Sequence, residues 1–153
     1  MGFMSADAAF SSKDHTWRTP SKLFADLNAE FGFVLDVAAM KDSTLVSDNW
    51  YGPDHDDVSR RDALVRNWAE DANGGSIFMN PPYGRQIGKW MHKAMNESQN
   101  GSTIVCLVPS RTDTAWFWDT AFAAGTIRFI RGRLCFNDST PAPFPSAVVI
   151  FGQ

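Results

Sequence analysis

The tetrapeptide Asn80-Pro81-Pro82-Tyr83 is the stretch of this sequence whose residue types are best suited to chemistry. Each proline has a fixed φ and lacks an N–H group, so the backbone of the motif is stiff and presents carbonyl oxygens. The Asn80 side-chain oxygen and the Pro81 carbonyl can accept two hydrogen bonds from one exocyclic amine, while the Tyr83 ring stacks on the flat ring that carries it. The alternative is a rigid turn that only ends a strand.

Two apolar runs predict the strands that position this chemistry. Residues 75–79 lead directly into the motif, and residues 103–108 lead into Pro109 and Ser110. Both runs have the length and composition of buried strands. Because ligands of open α/β sheets bind at the carboxyl ends of strands, the motif is expected at the edge where chemistry takes place, with Arg85 and Arg111 on either side.

Helical spacing and turn residues predict the remaining elements. Thr19 and Pro20 are expected as the N-cap and first residue of a helix that ends at Gly32. Apolar residues from Ile87 onwards recur at helical spacing until about residue 101, and another helix is expected from about residue 116 until Gly125. The remaining predicted strands are residues 33–37, 126–130, 134–136 and 146–151.

Length and composition favour one globular domain without a metal site or a membrane span. We expect residues 1–14 to form a mobile arm and residues 15–153 to form a single domain. Cys106 and Cys135 lie in apolar runs, as reduced thiols of cytosolic proteins do, and the three histidines lack metal-ligand spacing. No apolar run reaches the roughly 18 residues that a membrane span needs. The expected location is therefore the cytoplasm.

Charge is unevenly distributed along the chain. Residues 1–75 hold 7 Lys and Arg against 13 Asp and Glu, whereas residues 76–153 hold 7 against 4. An acidic half suits a cationic cofactor, and a basic half suits a phosphate backbone, despite the net charge of -3. The alternative is a chance imbalance on a solvated surface.

The tetrapeptide and its flanks resemble, in order, the motifs of phage-type DNA N-6-adenine methyltransferases. Asn80-Pro81-Pro82-Tyr83 followed by Gly84 is similar to the catalytic motif of amino-methyltransferases. The flanking matches are Trp17-Arg18-Thr19-Pro20, Leu35-Asp36-Val37-Ala38-Ala39, Asp62-Ala63-Leu64 with Trp68, Trp90, Leu107-Val108-Pro109, Trp116-Phe117 and Gly132-Arg133. The likeness extends from about residue 17 to residue 151.

This resemblance implies a fold, a cofactor and the residues that bind it. The fold is α/β, a Rossmann-like class I methyltransferase with a doubly wound, mostly parallel sheet and an antiparallel C-terminal hairpin. The cofactor is S-adenosylmethionine. The residues assigned to it are Trp17, Thr19 and Pro20 at the methionine end, Asp36, Ala38 and Ala39 in place of the usual glycine-rich loop, and Asp62 and Leu64 at the adenine ring.

Some of these residues have structural alternatives. Trp17 is equally compatible with a packed core indole, and Asp36 could serve only as a cap for the segment after it. The acidic run between residues 41 and 61 could supply a carboxylate for the ribose hydroxyls, although a solvated loop explains most of it. The candidates for that carboxylate are Asp48, Asp54, Asp56 and Asp57.

The function implied by the resemblance is methylation of the adenine amine in double-stranded DNA, with the base flipped out of the helix. Asn80 and Pro81 would hold the amine, and Tyr83 would stack on the base. The arginines expected to contact phosphates are Arg85, Arg111, Arg131 and Arg133, with solvated surface charge as the alternative. Without room for a separate recognition domain, we expect a short or relaxed target site and a monomer or homodimer.

Other functions fit the motif as well. An amino-methyltransferase acting on RNA or on a protein glutamine could use the same tetrapeptide. A non-catalytic phage module that binds DNA or the cofactor is the alternative outside enzymes. For the DNA methyltransferases of this family, the usual expected purpose is protection of viral DNA from restriction by host nucleases.

Overall fold

Five strands form one mixed sheet in the computed structural model, which describes residues 17–136 and 140–152. The strands are β1 (Phe33–Asp36), β2 (Ser76–Met79), β3 (Ile104–Pro109), β4 (Thr126–Phe129) and β5 (Ser146–Phe151). The helices are α1 (Ser21–Phe31), α2 (Trp68–Asp71), α3 (Ile87–Ser98) and a π-helical segment (Phe117–Phe122), with 3-10 turns at Val58–Arg60 and Ala63–Val65. The arm predicted for residues 1–14 lies outside the described residues.

The order of the strands brings three carboxyl ends to one edge. The order is β1-β2-β3-β5-β4, in which β1, β2 and β3 are parallel neighbours and β5 runs antiparallel to both β3 and β4. Asp36 pairs with Phe78, so β1 and β2 end side by side, and β3 continues three residues beyond Cys106, the partner of Met79. The prediction of an α/β fold with an antiparallel pair of C-terminal strands is confirmed.

The central strands are buried along their whole length. Every residue of β3 and β5 is buried, which explains why their sequences, apart from Ser146, are apolar instead of alternating. Phe78 of β2 packs against Phe33 of β1 and against Phe24 of α1, with ring centroids 5.2 Å apart in both pairs. This aromatic contact fixes α1 against the sheet, and therefore fixes the segment that precedes α1 beside the carboxyl end of β2.

The predicted start of α1 is wrong by one residue. The helix begins at Ser21, and Pro20 precedes it with an extended ψ of 134°. Thr19 does not cap this helix, because its hydroxyl oxygen instead accepts a hydrogen bond from the Asn80 side chain. The predicted end at Gly32 is confirmed, since this residue has a φ of 64° and donates its N–H to the Asn28 carbonyl.

The strand predicted at residues 134–136 is wrong. The Leu134 carbonyl accepts a hydrogen bond from the Ala142 N–H, across a loop, and Phe136 is buried against other aromatic rings. The Phe136 ring lies 5.4 Å from Trp17 and 5.8 Å from Phe144. The short apolar run therefore contributes to an aromatic cluster. A run of three apolar residues has the same sequence pattern whether it forms a strand or packs in such a cluster.

Candidate functional site

A cavity of about 1050 Å³ opens where β1 and β2 end. All four residues of the tetrapeptide, 80–83, line this cavity. Residues 36–40, which include the end of β1, line it too, together with the segment before α1. The structure thus places the tetrapeptide at the edge of the sheet where ligands of α/β proteins bind.

The nitrogen and the oxygen of the Asn80 side-chain amide differ in their hydrogen bonding. Its amide nitrogen donates to the Trp17 carbonyl at 2.8 Å and to the Thr19 hydroxyl oxygen at 3.1 Å. Its buried Oδ1 has no hydrogen-bond partner among residues 17–136 and 140–152. Because a backbone carbonyl can only accept, the nitrogen must face Trp17, and this leaves the oxygen as the acceptor.

Tyr83 is packed more tightly than its predicted stacking role suggests. Its exposed fraction is 2%, and its hydroxyl donates to the Leu107 carbonyl at 3.1 Å. The rings of Phe136 and Phe144 meet it edge to face, with centroids 6.2 and 5.5 Å away. Burial raises the pKa of Tyr83 far above its ordinary value, so the phenol stays neutral. Little of this ring is exposed, although the residue lines the cavity.

Asp36 presents a buried carboxyl group at the end of β1. One oxygen accepts the Ala38 N–H at 3.3 Å and the other accepts the Leu45 N–H at 3.2 Å. Burial raises the pKa of Asp36 to about 6, against the opposing effect of these two hydrogen bonds. A nearby cation would favour the charged form, so this carboxyl group suits a positively charged ligand.

Six of the eight predicted cofactor residues line the cavity, namely Trp17, Thr19, Asp36, Ala38, Ala39 and Asp62. The other two, Pro20 and Leu64, lie beside the lining residues: Pro20 immediately precedes α1, and the Leu64 N–H donates to the Asp62 carboxylate at 3.1 Å. Trp17 lines the cavity while its ring packs against Phe136 and Phe144, so its position is compatible with both alternatives.

The four predicted ribose carboxylates are not among the lining residues. Two of them hold Lys41, whose backbone N–H donates to Asp54 and whose ammonium pairs with Asp56 at 2.6 Å. Asp57 caps a 3-10 turn. Asp42 lines the cavity instead, and sequence analysis missed it because only the folded path of the loop brings this residue to the wall.

Backbone pairing outside the named strands builds the wall next to Asp36. The Asp36 carbonyl accepts from the Tyr51 N–H, and the Tyr51 carbonyl accepts from the Ala39 N–H, both at 2.9 Å. Gly52 follows so closely that a Cβ added there would lie 1.9 Å from the Ala39 carbonyl oxygen. In the sequence, this wall is marked by the Gly52-Pro53 pair, and such a pair is typical of a turn.

The predicted DNA-binding arginines lie on the surface or close to it. Arg85, Arg131 and Arg133 are exposed, whereas Arg111 is half-buried, with its Nε 3.3 Å from Asp113. Arg128 lies in the same region as Arg131 but makes two hydrogen bonds to Glu30, at 2.7 and 2.6 Å. Among residues 17–136 and 140–152, no group of three metal-ligating side chains occurs, and no helix is long and apolar enough to cross a membrane.

A cavity at the carboxyl ends of parallel strands defines a ligand-binding α/β domain. Residues 7–147 match the family model for DNA N-6-adenine-methyltransferase (Dam). A DNA N-6-adenine-methyltransferase of Escherichia phage T1 is 28% identical over 119 residues, which cover 77% of this chain and 45% of the phage protein. The chain therefore belongs to the DNA N-6-adenine-methyltransferase family, as the motifs predicted, and spans about half the length of this curated relative.

Proposed function

We propose that this protein methylates the exocyclic amine of adenine in DNA, with S-adenosylmethionine as the methyl donor. The observation that carries this proposal is the buried Asn80 Oδ1, a hydrogen-bond acceptor without a partner among the described residues. An unpaired buried acceptor is costly, so the site favours a ligand that brings an N–H donor. The exocyclic amine of adenine is such a donor, and family membership supports adenine as the base that carries it.

The lining residues fit S-adenosylmethionine. Asp36 offers a buried carboxyl group to the positive charges of the cofactor, and Ala38 and Ala39 permit close approach to the backbone. The cavity volume of about 1050 Å³ is slightly above the roughly 300–1000 Å³ of small-ligand sites, which supports room for both cofactor and base. When bound, S-adenosylmethionine supplies a methyl group activated by a positively charged sulfur.

The tetrapeptide acts on the amine in two ways. Asn80 Oδ1 and the Pro81 carbonyl accept the two N–H bonds, which fixes the direction of the nitrogen lone pair. As the nitrogen accepts the methyl group, the methyl–sulfur bond would break, the cofactor would leave as a neutral thioether, and the two oxygens would stabilise the positive charge that develops on the nitrogen. The excess proton leaves afterwards, so the reaction needs neither a strong base nor a covalent enzyme intermediate.

The target adenine must leave the base stack to reach this buried acceptor. Tyr83 stacks on the flipped base where this residue lines the cavity. The arginines that bind the phosphates are Arg85, Arg111, Arg131 and Arg133. The family's known substrate and the exposure of Arg131 and Arg133 support this assignment.

The proposal includes the fold class and domain organisation. Residues 15–153 form one catalytic domain, a Rossmann-like class I methyltransferase with a doubly wound sheet. Three parallel strands followed by an antiparallel C-terminal pair support this class, because doubly wound methyltransferases close their sheet with such a hairpin.

Labelled S-adenosylmethionine tests the proposal against its rivals. The protein is incubated separately with unmethylated DNA, tRNA and a glutamine-containing protein substrate, and the label in each acceptor is counted. We expect label in DNA, recovered as N6-methyladenine. Label in tRNA or protein alone would show that this molecule, and not DNA, is the substrate. Cofactor binding without transfer to any acceptor would indicate a non-catalytic module.

A further inference from the structure

We propose that Thr19 is a positioning residue that holds the Asn80 amide with its oxygen free for the substrate amine, an inference that rests on the proposed function. The Asn80 nitrogen lies between two acceptors, the Trp17 carbonyl at 2.8 Å and the Thr19 hydroxyl oxygen at 3.1 Å. These two contacts use both N–H bonds of the amide. They leave Oδ1 on the opposite side of the planar group.

Two contacts restrain the amide more tightly than one. With the Trp17 carbonyl alone, the side chain could swing about its last torsion, which is broad for asparagine. With Thr19 as well, the orientation of the amide plane is set, and rotation by 180° would bring Oδ1 against the lone pairs of the Trp17 carbonyl. Thr19 therefore determines the direction from which the amine can donate.

The position of Thr19 depends on packing far from the tetrapeptide in sequence. Thr19 and Asn80 are 61 residues apart, and α1 begins two residues after Thr19. The neighbouring Trp17 ring is fixed edge to face by Phe136 and Phe144, with centroids 5.4 and 5.2 Å away. The acceptor is thus assembled from two segments, and a shift of the segment before α1 would misalign Asn80.

Thr19→Val and Thr19→Ser separate this role from simple packing. Valine keeps the shape and removes the acceptor, whereas serine keeps the hydroxyl. At saturating S-adenosylmethionine and DNA, we expect Thr19→Val to slow single-turnover methyl transfer by about tenfold, the effect of losing one part-buried hydrogen bond. Thr19→Ser should restore transfer to within about twofold of wild type, and because the cofactor is saturating, a change in cofactor affinity does not enter the comparison.

Thr126→Val is the matched control, because Thr126 lies exposed on β4 and is not a lining residue of the cavity. The Asn80 side-chain amide resonances provide a readout that does not need activity: they should shift in Thr19→Val and stay unchanged in Thr126→Val. An unchanged transfer rate in Thr19→Val, an equal loss in Thr19→Ser, or a loss that disappears at saturating cofactor would overturn the inference. If wild type transfers no methyl group to DNA, the proposed function fails instead. The Asn80 resonances would still test whether the Thr19 hydroxyl contacts the Asn80 amide.

Discussion

The polar groups of Asp36 and Asn80 are both buried in the cavity wall, but their hydrogen bonding differs. Both oxygens of Asp36 accept backbone N–H groups, whereas Asn80 Oδ1 has no partner among the described residues. A paired carboxyl group can hold charge at a fixed place, and an unpaired amide oxygen can receive a donor from a ligand. These two residues therefore suit the two ligands of the proposed reaction, a cation and an amine.

The pH dependence of cofactor binding tests the role of Asp36. Burial raises the pKa of Asp36 to about 6, so without cofactor the neutral form dominates below that pH. A cationic cofactor favours the charged form, and its affinity should fall below pH 6, approaching tenfold per pH unit. Titrations of S-adenosylmethionine between pH 5 and 8 measure this effect. In Asp36→Asn, affinity should be weaker at pH 8 and the step near pH 6 should be absent; a step of equal size there would contradict the assignment.

The same raised pKa has the opposite consequence for stability. Because the folded protein holds the Asp36 proton more tightly than the unfolded chain, this group stabilises the fold fully below about pH 4. That contribution is lost as the pH rises through about 6. At neutral pH the charged, buried carboxylate therefore lowers the free energy of unfolding. Residues of binding sites often reduce stability in this way.

Tyr83→Phe separates the hydroxyl of this residue from its ring. The change removes the hydrogen bond to the Leu107 carbonyl and should lower the free energy of unfolding by about 1 kcal/mol, as measured by urea denaturation. Methyl transfer should remain within a few-fold, because the ring is kept. Tyr83→Leu removes the ring, so it should abolish methyl transfer in addition to lowering the free energy of unfolding. Full transfer by Tyr83→Leu would contradict the stacking role.

At the scale of elements, the wall beside Asp36 depends on close backbone approach at Gly52. A Cβ at this position would lie 1.9 Å from the Ala39 carbonyl oxygen, so Gly52→Ala must displace residues 38–39. We expect cofactor affinity to fall at least tenfold by fluorescence titration. Gly88→Ala is the matched control, since its nearest atom would be Trp116 Cβ at 3.4 Å and alanine favours the interior of α3. Equal affinity in both variants would contradict the proposed wall.

Strands and helices with strong patterns were predictable from sequence, and elements decided by distant contacts were not. The buried runs of β2, β3 and β5 and the helical period of α3 lie close to their predicted positions. The apolar run at residues 134–136 packs in an aromatic cluster, which pattern alone cannot distinguish from a strand. The π-helical turn at residues 117–122 could not be predicted from sequence either, because its spacing of apolar residues also fits an ordinary α-helix.

The candidate site was predictable where its residues follow strands. Asn80 was found because its motif follows the apolar run of β2, whereas Asp36 was assigned through the resemblance to the family. Asp42 and the wall at Gly52 were missed, since their place depends on backbone pairing between two loops. The contact of Thr19 with Asn80 was missed for a similar reason, and the local pattern indicated an N-cap in its place.

At the scale of the whole molecule, the basic C-terminal half is expected to face DNA. Arg131→Ala with Arg133→Ala should weaken DNA binding and reduce the slope of log affinity against log salt by about 0.9 for each phosphate that is no longer neutralised. Arg128→Ala is the matched control, because its guanidinium is already paired with Glu30. Binding is measured by fluorescence anisotropy across a salt series. An unchanged slope in the double variant would place the DNA on another surface.

The central claim is that Asn80 presents an acceptor for the adenine amine, and sequencing of modified bases tests it most directly. Plasmid DNA is recovered from methylation-deficient cells that express either wild type or Asn80→Ala. We predict N6-methyladenine only with wild type, while purified Asn80→Ala binds S-adenosylmethionine within a few-fold of wild type. Unmodified DNA in both cultures, or methylated adenine at equal levels in both, would contradict the account.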